Sequence, residues 1–183
     1  MGRISVLEST LQGKNRLPSA SVGIGHTRWA THGAPTEDNA HPHTDDHGHI
    51  ALVHNGIIEN YGALKQFLTS KGHTFKSQTD TEVLAVLIGD MYEELRAKQD
   101  GPVLQSAVQA ALHEVEGTYG IAVISADEPD TLVVARKGSP LIIGVGKDEY
   151  IVASDASAIV GHTTQVIYLN DNEMATLRPD EFK

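Results

Sequence analysis

Two consecutive stretches in the middle of the chain carry apolar residues at helical spacing, and both predict amphipathic helices. The first begins with Thr79 and Glu82, which fit a capping box, and predicts a helix of about five turns. Its apolar face consists of Leu84, Leu87, Ile88, Met91 and Leu95. The second has Pro102 in its first turn, and its stripe consists of Leu104, Ala107, Val108, Ala111, Leu112 and Val115. A sheet or the other helix must cover each apolar face.

Short β-branched runs separated by turn residues predict strands on both sides of these helices. They are Val22–Arg28, Ile50–His54, Tyr119–Ser125, Leu132–Arg136, Leu141–Val145, Tyr150–Ser154, Val166–Leu169 and Met174–Leu177. A further helix follows Glu59 and ends near Gly72, and a short one is expected over Asp155–Val160. The spacing favours antiparallel hairpins, so we expect an α+β architecture with helices covering sheets rather than a doubly wound parallel sheet.

The composition excludes several classes of protein. The 183 residues include 24 Asp+Glu and 14 Lys+Arg, a net charge of −10 that excludes a generic basic nucleic-acid binder. The absence of cysteine removes disulfides, thiolate metal sites and thiol nucleophiles. The sequence has no long apolar stretch and no secretory signal, so we expect a cytoplasmic chain without a membrane partner. We find no linker and expect one domain.

Three positions could carry chemistry, and each also has an ordinary structural interpretation. Arg28, followed by Trp29, could grip a carboxylate with two hydrogen bonds, although the local pattern favours a salt bridge beside a core tryptophan. Asn55-Gly56 could supply two donors to an oxyanion or form a tight hairpin turn, and spacing leaves both open. Asp80 could receive an ammonium group, although complementing the helix dipole is favoured by this segment alone.

A histidine-rich loop raises the question of a metal site. Imidazole and carboxylate groups are suitable zinc ligands. The spacing matches neither a His-Glu-x-x-His motif nor a zinc finger, so we expect no metal site in this loop. The residues concerned are His41, His43, His47 and His49, with Asp45 and Asp46 between them.

Taken together, several segments resemble the glutaminase domain of the glutamine–fructose-6-phosphate aminotransferase (isomerizing), or glucosamine-6-phosphate synthase, family. These enzymes are class II glutamine amidotransferases. The likeness covers nearly the whole chain, and the nine-residue block around Arg28 is its most specific part. The matching segments are Gly25 to Gly33, Asn39 to His43, His54 to Asn60, Thr79 to Glu82, Gly138 to Leu141 and Ala153 to Asp155.

The resemblance implies a fold and a set of roles. The fold is the four-layer αββα sandwich of N-terminal-nucleophile hydrolases, with antiparallel sheets. Arg28 would bind the α-carboxylate of glutamine and Asp80 its α-ammonium, while Asn55 and Gly56 would form the oxyanion hole. The remaining implied residues are Trp29, Thr31 and His32 in a loop that closes over the substrate, and His41 as a support of the pocket. No cofactor is implied; the partners are L-glutamine and an isomerase domain.

One departure from the family matters for activity. The family's nucleophile is an N-terminal cysteine, and this chain has none. We therefore expect residues 1–183 to be a partial glutamine amidotransferase type 2 domain, without its first strands and without the isomerase domain, and to be inactive alone. Unpaired sheet edges would favour a homodimer or other self-association. The alternatives are a non-catalytic glutamine-binding or scaffold domain, or another class II amidotransferase.

Overall fold

The computed structural model describes residues 4–11, 20–27, 34, 36–179 and 181–183. These residues form four α-helices, nine strands and a short 3-10 helix over Ala156–Ala158. The helices are α1 Ile4–Leu11, α2 Tyr61–Ser70, α3 Asp80–Arg96 and α4 Leu104–His113. The strands are β1 His43–Thr44, β2 Ile50–Ile58, β3 Gly117–Ser125, β4 Leu132–Lys137, β5 Ile142–Val145, β6 Tyr150–Ala153, β7 Val166–Tyr168, β8 Glu173–Arg178 and β9 Glu181–Phe182.

The strands form two antiparallel sheets. The large sheet has the order β1-β2-β3-β4-β8-β9, and the small sheet has the order β6-β5-β7. The longest pairing joins β2 to β3, from Ile50 opposite Ser125 to Ile58 opposite Gly117. This long ladder fixes the position of every residue on β2, which carries two of the expected site residues.

The predicted helices cover one face of the large sheet. The side chains from Val83 to Ile88 of α3 are almost wholly buried, together with Leu104 and Val108 of α4. They share one hydrophobic core with Leu52, Ile121 and other residues of the large sheet. The apolar face expected for α4 is thus confirmed. The expected apolar face of α3 is buried too, but so is the rest of its first half, from Asp80 to Asp90.

The opposite face of the large sheet packs against the small sheet. Ala122 and Val134 of the large sheet share a second core with Leu141 and Ile143 at the small sheet. Side chains alternate between the faces of a strand, so Gly144 points away from this core. A Cβ at Gly144 would lie 2.5 Å from the Ile159 side chain, which covers the outer face of β5.

Two helix ends follow the local signals in the sequence. Lys71 caps the end of α2, and Gly72 then has a φ of 103°. The N–H of His73 donates to the carbonyl of Leu68 and that of Gly72 to the carbonyl of Thr69, which is a Schellman motif. Thr79 caps α3, its hydroxyl accepting from the backbone N–H of Glu82.

Some expected boundaries were wrong. Residues 22–27 are irregular, because a strand requires a ladder partner and none of the described residues pairs with them. The helix predicted to have Pro102 in its first turn begins at Leu104, two residues after Pro102, and the expected helix over Asp155–Val160 is a 3-10 turn. Helix α1 was not expected.

Within the described ranges, no helix has the length and apolar character needed to traverse a bilayer.

Candidate functional site

Asn55 and Gly56 lie inside strand β2, opposite Gly120 and Tyr119 of β3. The pair is therefore not a hairpin turn. Gly56 has a φ of 137°, and a Cβ there would lie 2.2 Å from the carbonyl oxygen of Thr118. This backbone conformation and this close approach require glycine.

His26 fixes the orientation of the Asn55 side chain. Its Nε2–H donates to Asn55 Oδ1 over 2.7 Å. The amide oxygen is thus occupied, and the amide nitrogen is directed to other acceptors. The other ring nitrogen, Nδ1, is buried without a hydrogen-bond partner in the described part of the chain.

Asn55 and His26 line an open cleft of about 610 Å³ between the two sheets. One wall comes from β2 and β3 of the large sheet, and the other comes from the small sheet. Clefts of roughly 300–1,000 Å³ are typical of small-molecule sites. The remaining lining residues are Ile4, Gly25, Thr27, Val53, His54, Gly120, Ile121, Ala122, Leu141, Val152, Ala153 and Ser154.

His54 is buried between β2 and the first turn of α3. Its Nε2–H donates to the carbonyl oxygen of Thr118 at 3.3 Å. Its Nδ1 therefore accepts from the hydroxyl of Thr81 at 3.0 Å. Burial lowers the pKa of His54, because a charged imidazolium is poorly solvated there. This neutral ring connects the strand that carries Asn55 to the helix that carries Asp80.

Asp80 is the first residue of α3, and it is buried. Its Oδ2 accepts from the backbone N–H of Ile58 at 2.8 Å. The carboxylate thereby holds the end of β2 against the positive end of the helix, where a negative charge is favourable. Asp80 is not among the residues that line the cleft.

A row of histidines runs from the cleft towards the start of α3. The His41 ring stacks on His26 with centroids 4.2 Å apart, and its edge meets His43 at 4.9 Å. Nδ1 of His41 accepts from the backbone N–H of His54 at 3.3 Å. At the far end, Nε2 of His43 lies 3.0 Å from the hydroxyl oxygen of Thr79. The row therefore joins Asn55, through His26, to the cap of α3.

Comparison with known proteins identifies the family. The profile of the glutamine amidotransferase domain matches residues 26–161, which include all of the cleft lining except Ile4 and Gly25. The chain belongs to the glutamine amidotransferase domain family. The resemblance expected from the sequence is thereby confirmed.

Two relatives of this amidotransferase domain carry the same name. A glutamine–fructose-6-phosphate aminotransferase [isomerizing] from Chlorobaculum tepidum is 53% identical over 183 residues, covering 99% of this chain and 29% of the relative. One from Methanothermobacter thermautotrophicus is 54% identical over 160 residues, covering 87% of this chain and 26% of the relative. This chain thus spans less than a third of the length of these relatives.

Solved structures confirm the fold. The glutamine phosphoribosylpyrophosphate amidotransferase of B. subtilis aligns with a TM-score of 0.65 and 30% identity, covering 86% of this chain and 33% of that chain. A predicted glutamine amidotransferase from Pseudomonas aeruginosa has the same fold, with a TM-score of 0.55 and 14% identity over 80% of this chain and 65% of that chain. The α+β sandwich of antiparallel sheets, of the N-terminal-nucleophile hydrolase type, is therefore confirmed.

The structure brings together part of the expected site. Asn55 lines the cleft, Gly56 follows it on β2, and His41 stacks on the lining residue His26. Asp80 lies outside the cleft lining and contacts β2 through the backbone N–H of Ile58. Arg28 lies outside the described residues, as do Trp29, Thr31 and His32. No role was predicted for His26 or His54 from the sequence. The one feature that could have indicated them is a polar side chain within an otherwise apolar run.

Proposed function

We propose that residues 1–183 are one glutamine amidotransferase type 2 domain of an enzyme that makes glucosamine 6-phosphate from fructose 6-phosphate for amino-sugar biosynthesis. The domain binds L-glutamine, and hydrolysis of its side-chain amide supplies ammonia to a separate isomerase domain. The identity of about half the residues to enzymes named for this aminotransfer supports this choice of reaction.

The observation that carries the proposal is the orientation of Asn55 at the cleft wall. His26 occupies the amide oxygen, so the N–H₂ group is available as a donor. Such a donor, together with the Gly56 N–H, suits the negative oxygen that develops when an amide carbonyl is attacked. One donor of this kind contributes about 2.7–4 kcal/mol to the transition state. Because His26 holds the Asn55 side chain in this orientation before substrate binds, the amide group does not have to reorient during the reaction.

Recognition of a free amino acid requires two opposite charges. In this proposal Arg28 binds the α-carboxylate of glutamine and Asp80 its α-ammonium. Each charged hydrogen bond contributes roughly 1.5–3 kcal/mol. Trp29, Thr31 and His32 belong to the loop that closes over the substrate and excludes water. His41 supports the pocket by stacking on His26.

The 183 residues hold binding groups without a thiol, since they include no cysteine. The chain alone is therefore expected to bind glutamine without hydrolysing it, because amide cleavage in this class requires a nucleophile. We also propose that the chain self-associates, through strands at the edges of its sheets.

The test compares two ligands that differ by one charged group. Calorimetric titration of the chain with L-glutamine and with glutaramate, which lacks the α-ammonium, measures how much that group contributes. We expect glutamine to bind more tightly by about tenfold or more, the equivalent of one charged hydrogen bond. Asp80→Asn should abolish this preference while its amide oxygen still accepts from the Ile58 N–H.

A matched control is Asp100→Asn, which removes a carboxylate from an exposed position and should leave the preference intact. Equal binding of the two ligands, or an unchanged preference in Asp80→Asn, would contradict the proposed site. Glutamate release by the purified chain would contradict the expected inactivity.

A further inference from the structure

Three side chains with metal-binding atoms meet where the turn between β1 and β2 contacts the connection between α2 and α3. Asp46 and His47 lie in the turn, and His73 lies in the connection. One oxygen or nitrogen from each lies within 4.8 Å of the other two. We call this set the Asp46 cluster. It is separate from the cleft that contains Asn55.

His73 is held in a fixed orientation by a carboxylate behind it. Its Nε2–H donates to Asp90 Oδ1 at 3.2 Å, and the ammonium of Lys71 binds the other oxygen of Asp90. The Asp90 side chain is only 9% exposed. A carboxylate that accepts from one nitrogen of a histidine orients the other nitrogen towards a metal ion, and it is a usual partner of metal-bound histidine.

The opposite side of His73 faces an acceptor. Its Nδ1 lies 3.0 Å from Asp46 Oδ2, which also accepts from the backbone N–H of Thr74. Nδ1 and a carboxylate oxygen both carry lone pairs, so a cation must lie between them: a proton or a metal ion. Three carboxylates face one ammonium in this region, because Lys71 binds Asp90 and Glu94, and Asp46 is the third carboxylate. This excess of negative charge suits a divalent cation.

We propose that the Asp46 cluster binds a divalent transition-metal ion of the zinc type through Asp46, His47 and His73. Spacing within the histidine-rich loop alone predicted no metal site, because the third ligand, His73, lies outside that loop. In a tetrahedral zinc site with bonds of about 2.0–2.1 Å, the ligand atoms lie about 3.3 Å apart. Here Asp46 Oδ1 lies 3.1 Å from His73 Nδ1 and 3.9 Å from His47 Nε2. The His47 side chain is 58% exposed, so rotation of this side chain can close the gap.

The ligand set also selects the kind of ion. Two imidazoles and one carboxylate suit zinc, whereas Mg²⁺ and Ca²⁺ prefer sites made of oxygen ligands. Three protein ligands leave a fourth position for water. The bound ion would tie the β1–β2 turn to the segment that precedes the cap of α3, two parts of the chain that are more than twenty residues apart.

The test is a calorimetric titration with ZnCl₂ of the untagged chain, first freed of metal with a chelator. We expect one zinc ion per chain, no comparable binding of MgCl₂ and a zinc-dependent rise in Tm. His47→Gln should weaken zinc binding roughly tenfold or more. This variant leaves the fold intact, because the His47 side chain is exposed and its contact with Asp46 is long.

A matched control is His113→Gln, which removes an exposed histidine of α4 and should leave zinc binding unchanged. Asp90→Asn adds an independent measurement, since loss of the supporting carboxylate should weaken binding about 10–100-fold. Absence of zinc binding, or equal weakening by His47→Gln and His113→Gln, would overturn the proposal and leave a protonated His73 bridging two carboxylates.

Discussion

At the scale of single residues, Gly56 gives the sharpest prediction. Its φ is 137°, and a Cβ at this position would lie only 2.2 Å from the carbonyl oxygen of Thr118. Both features exclude any side chain. Gly56→Ala should therefore reduce the free energy of unfolding by roughly 2 kcal/mol or more, because both the backbone and the β2–β3 ladder must shift. Urea denaturation followed by circular dichroism measures the loss.

Gly62→Ala is the matched control for Gly56→Ala. Gly62 lies in α2, and a Cβ there meets nothing within 4 Å. This variant should be neutral or more stable by up to about 1 kcal/mol, because alanine restricts the unfolded chain and favours helix. Equal losses in the two variants would show that the close contact at Gly56 does not decide the outcome.

The buried His54 predicts how stability depends on pH. Its pKa is lowered by burial in the folded state, so the unfolded chain takes up the proton first as the pH falls below about 6.5. Above that pH both states are neutral and the full stability is present; below it, stability is lost. Between pH 6.5 and 5.5 the loss due to this group is up to about 1 kcal/mol.

His54→Gln isolates this contribution, since it removes the titrating ring. Other histidines have the opposite tendency: hydrogen bonding to Asp127 raises the pKa of His49. The useful quantity is therefore the difference in pH slope between the two proteins, measured by denaturant titration at each pH. We expect the variant to lose less stability than the parent chain on acidification. Parallel pH profiles would contradict a neutral buried His54.

At the scale of elements, the start of α3 depends on Thr79. Its hydroxyl oxygen accepts from the backbone N–H of Glu82 and lies close to Ser77 and His43. Thr79→Ala should cost about 1 kcal/mol of unfolding free energy, as for other lost helix caps. Thr79→Ser keeps the hydroxyl and should retain most of the stability. Thermal unfolding of both variants measures these losses. A Thr79→Ser protein as unstable as Thr79→Ala would contradict the capping role.

Elements specified by local signals were predictable, whereas those specified by distant partners were not. The cap of α3 and the Gly72 stop of α2 involve neighbours in sequence, so both were found from the sequence. The continuation of β2 through Asn55-Gly56 depends on Thr118, some sixty residues away. Residues 22–27 failed as a strand for the same reason, because strand pairing is not local.

The same distinction applies to the candidate site. Asn55 was selected from the sequence as a hydrogen-bond donor and Asp80 as a carboxylate. The hydrogen bonds that hold these two side chains in place were not predicted. Whether Asn55 faces a cleft depends on Leu141 and on strand β6, which come more than eighty residues later. The hydrogen bond from His26 and the burial of His54 likewise appear only when segments distant in sequence come together.

At the scale of the whole molecule, the edge of the small sheet predicts self-association. Among the strands of the described residues, β7 ends the order β6-β5-β7, and its Tyr168 is 61% exposed. An unpaired strand edge with exposed apolar residues favours pairing with a second copy, and a lysine on such an edge opposes it. We expect sedimentation velocity to show dimers of the chain, and we expect Tyr168→Lys to shift the equilibrium towards monomer.

Val160→Lys places the same charge on an exposed apolar residue outside the strands, and it should leave the dimer intact. A monomeric parent chain, or equal dissociation by both lysines, would contradict an interface at β7.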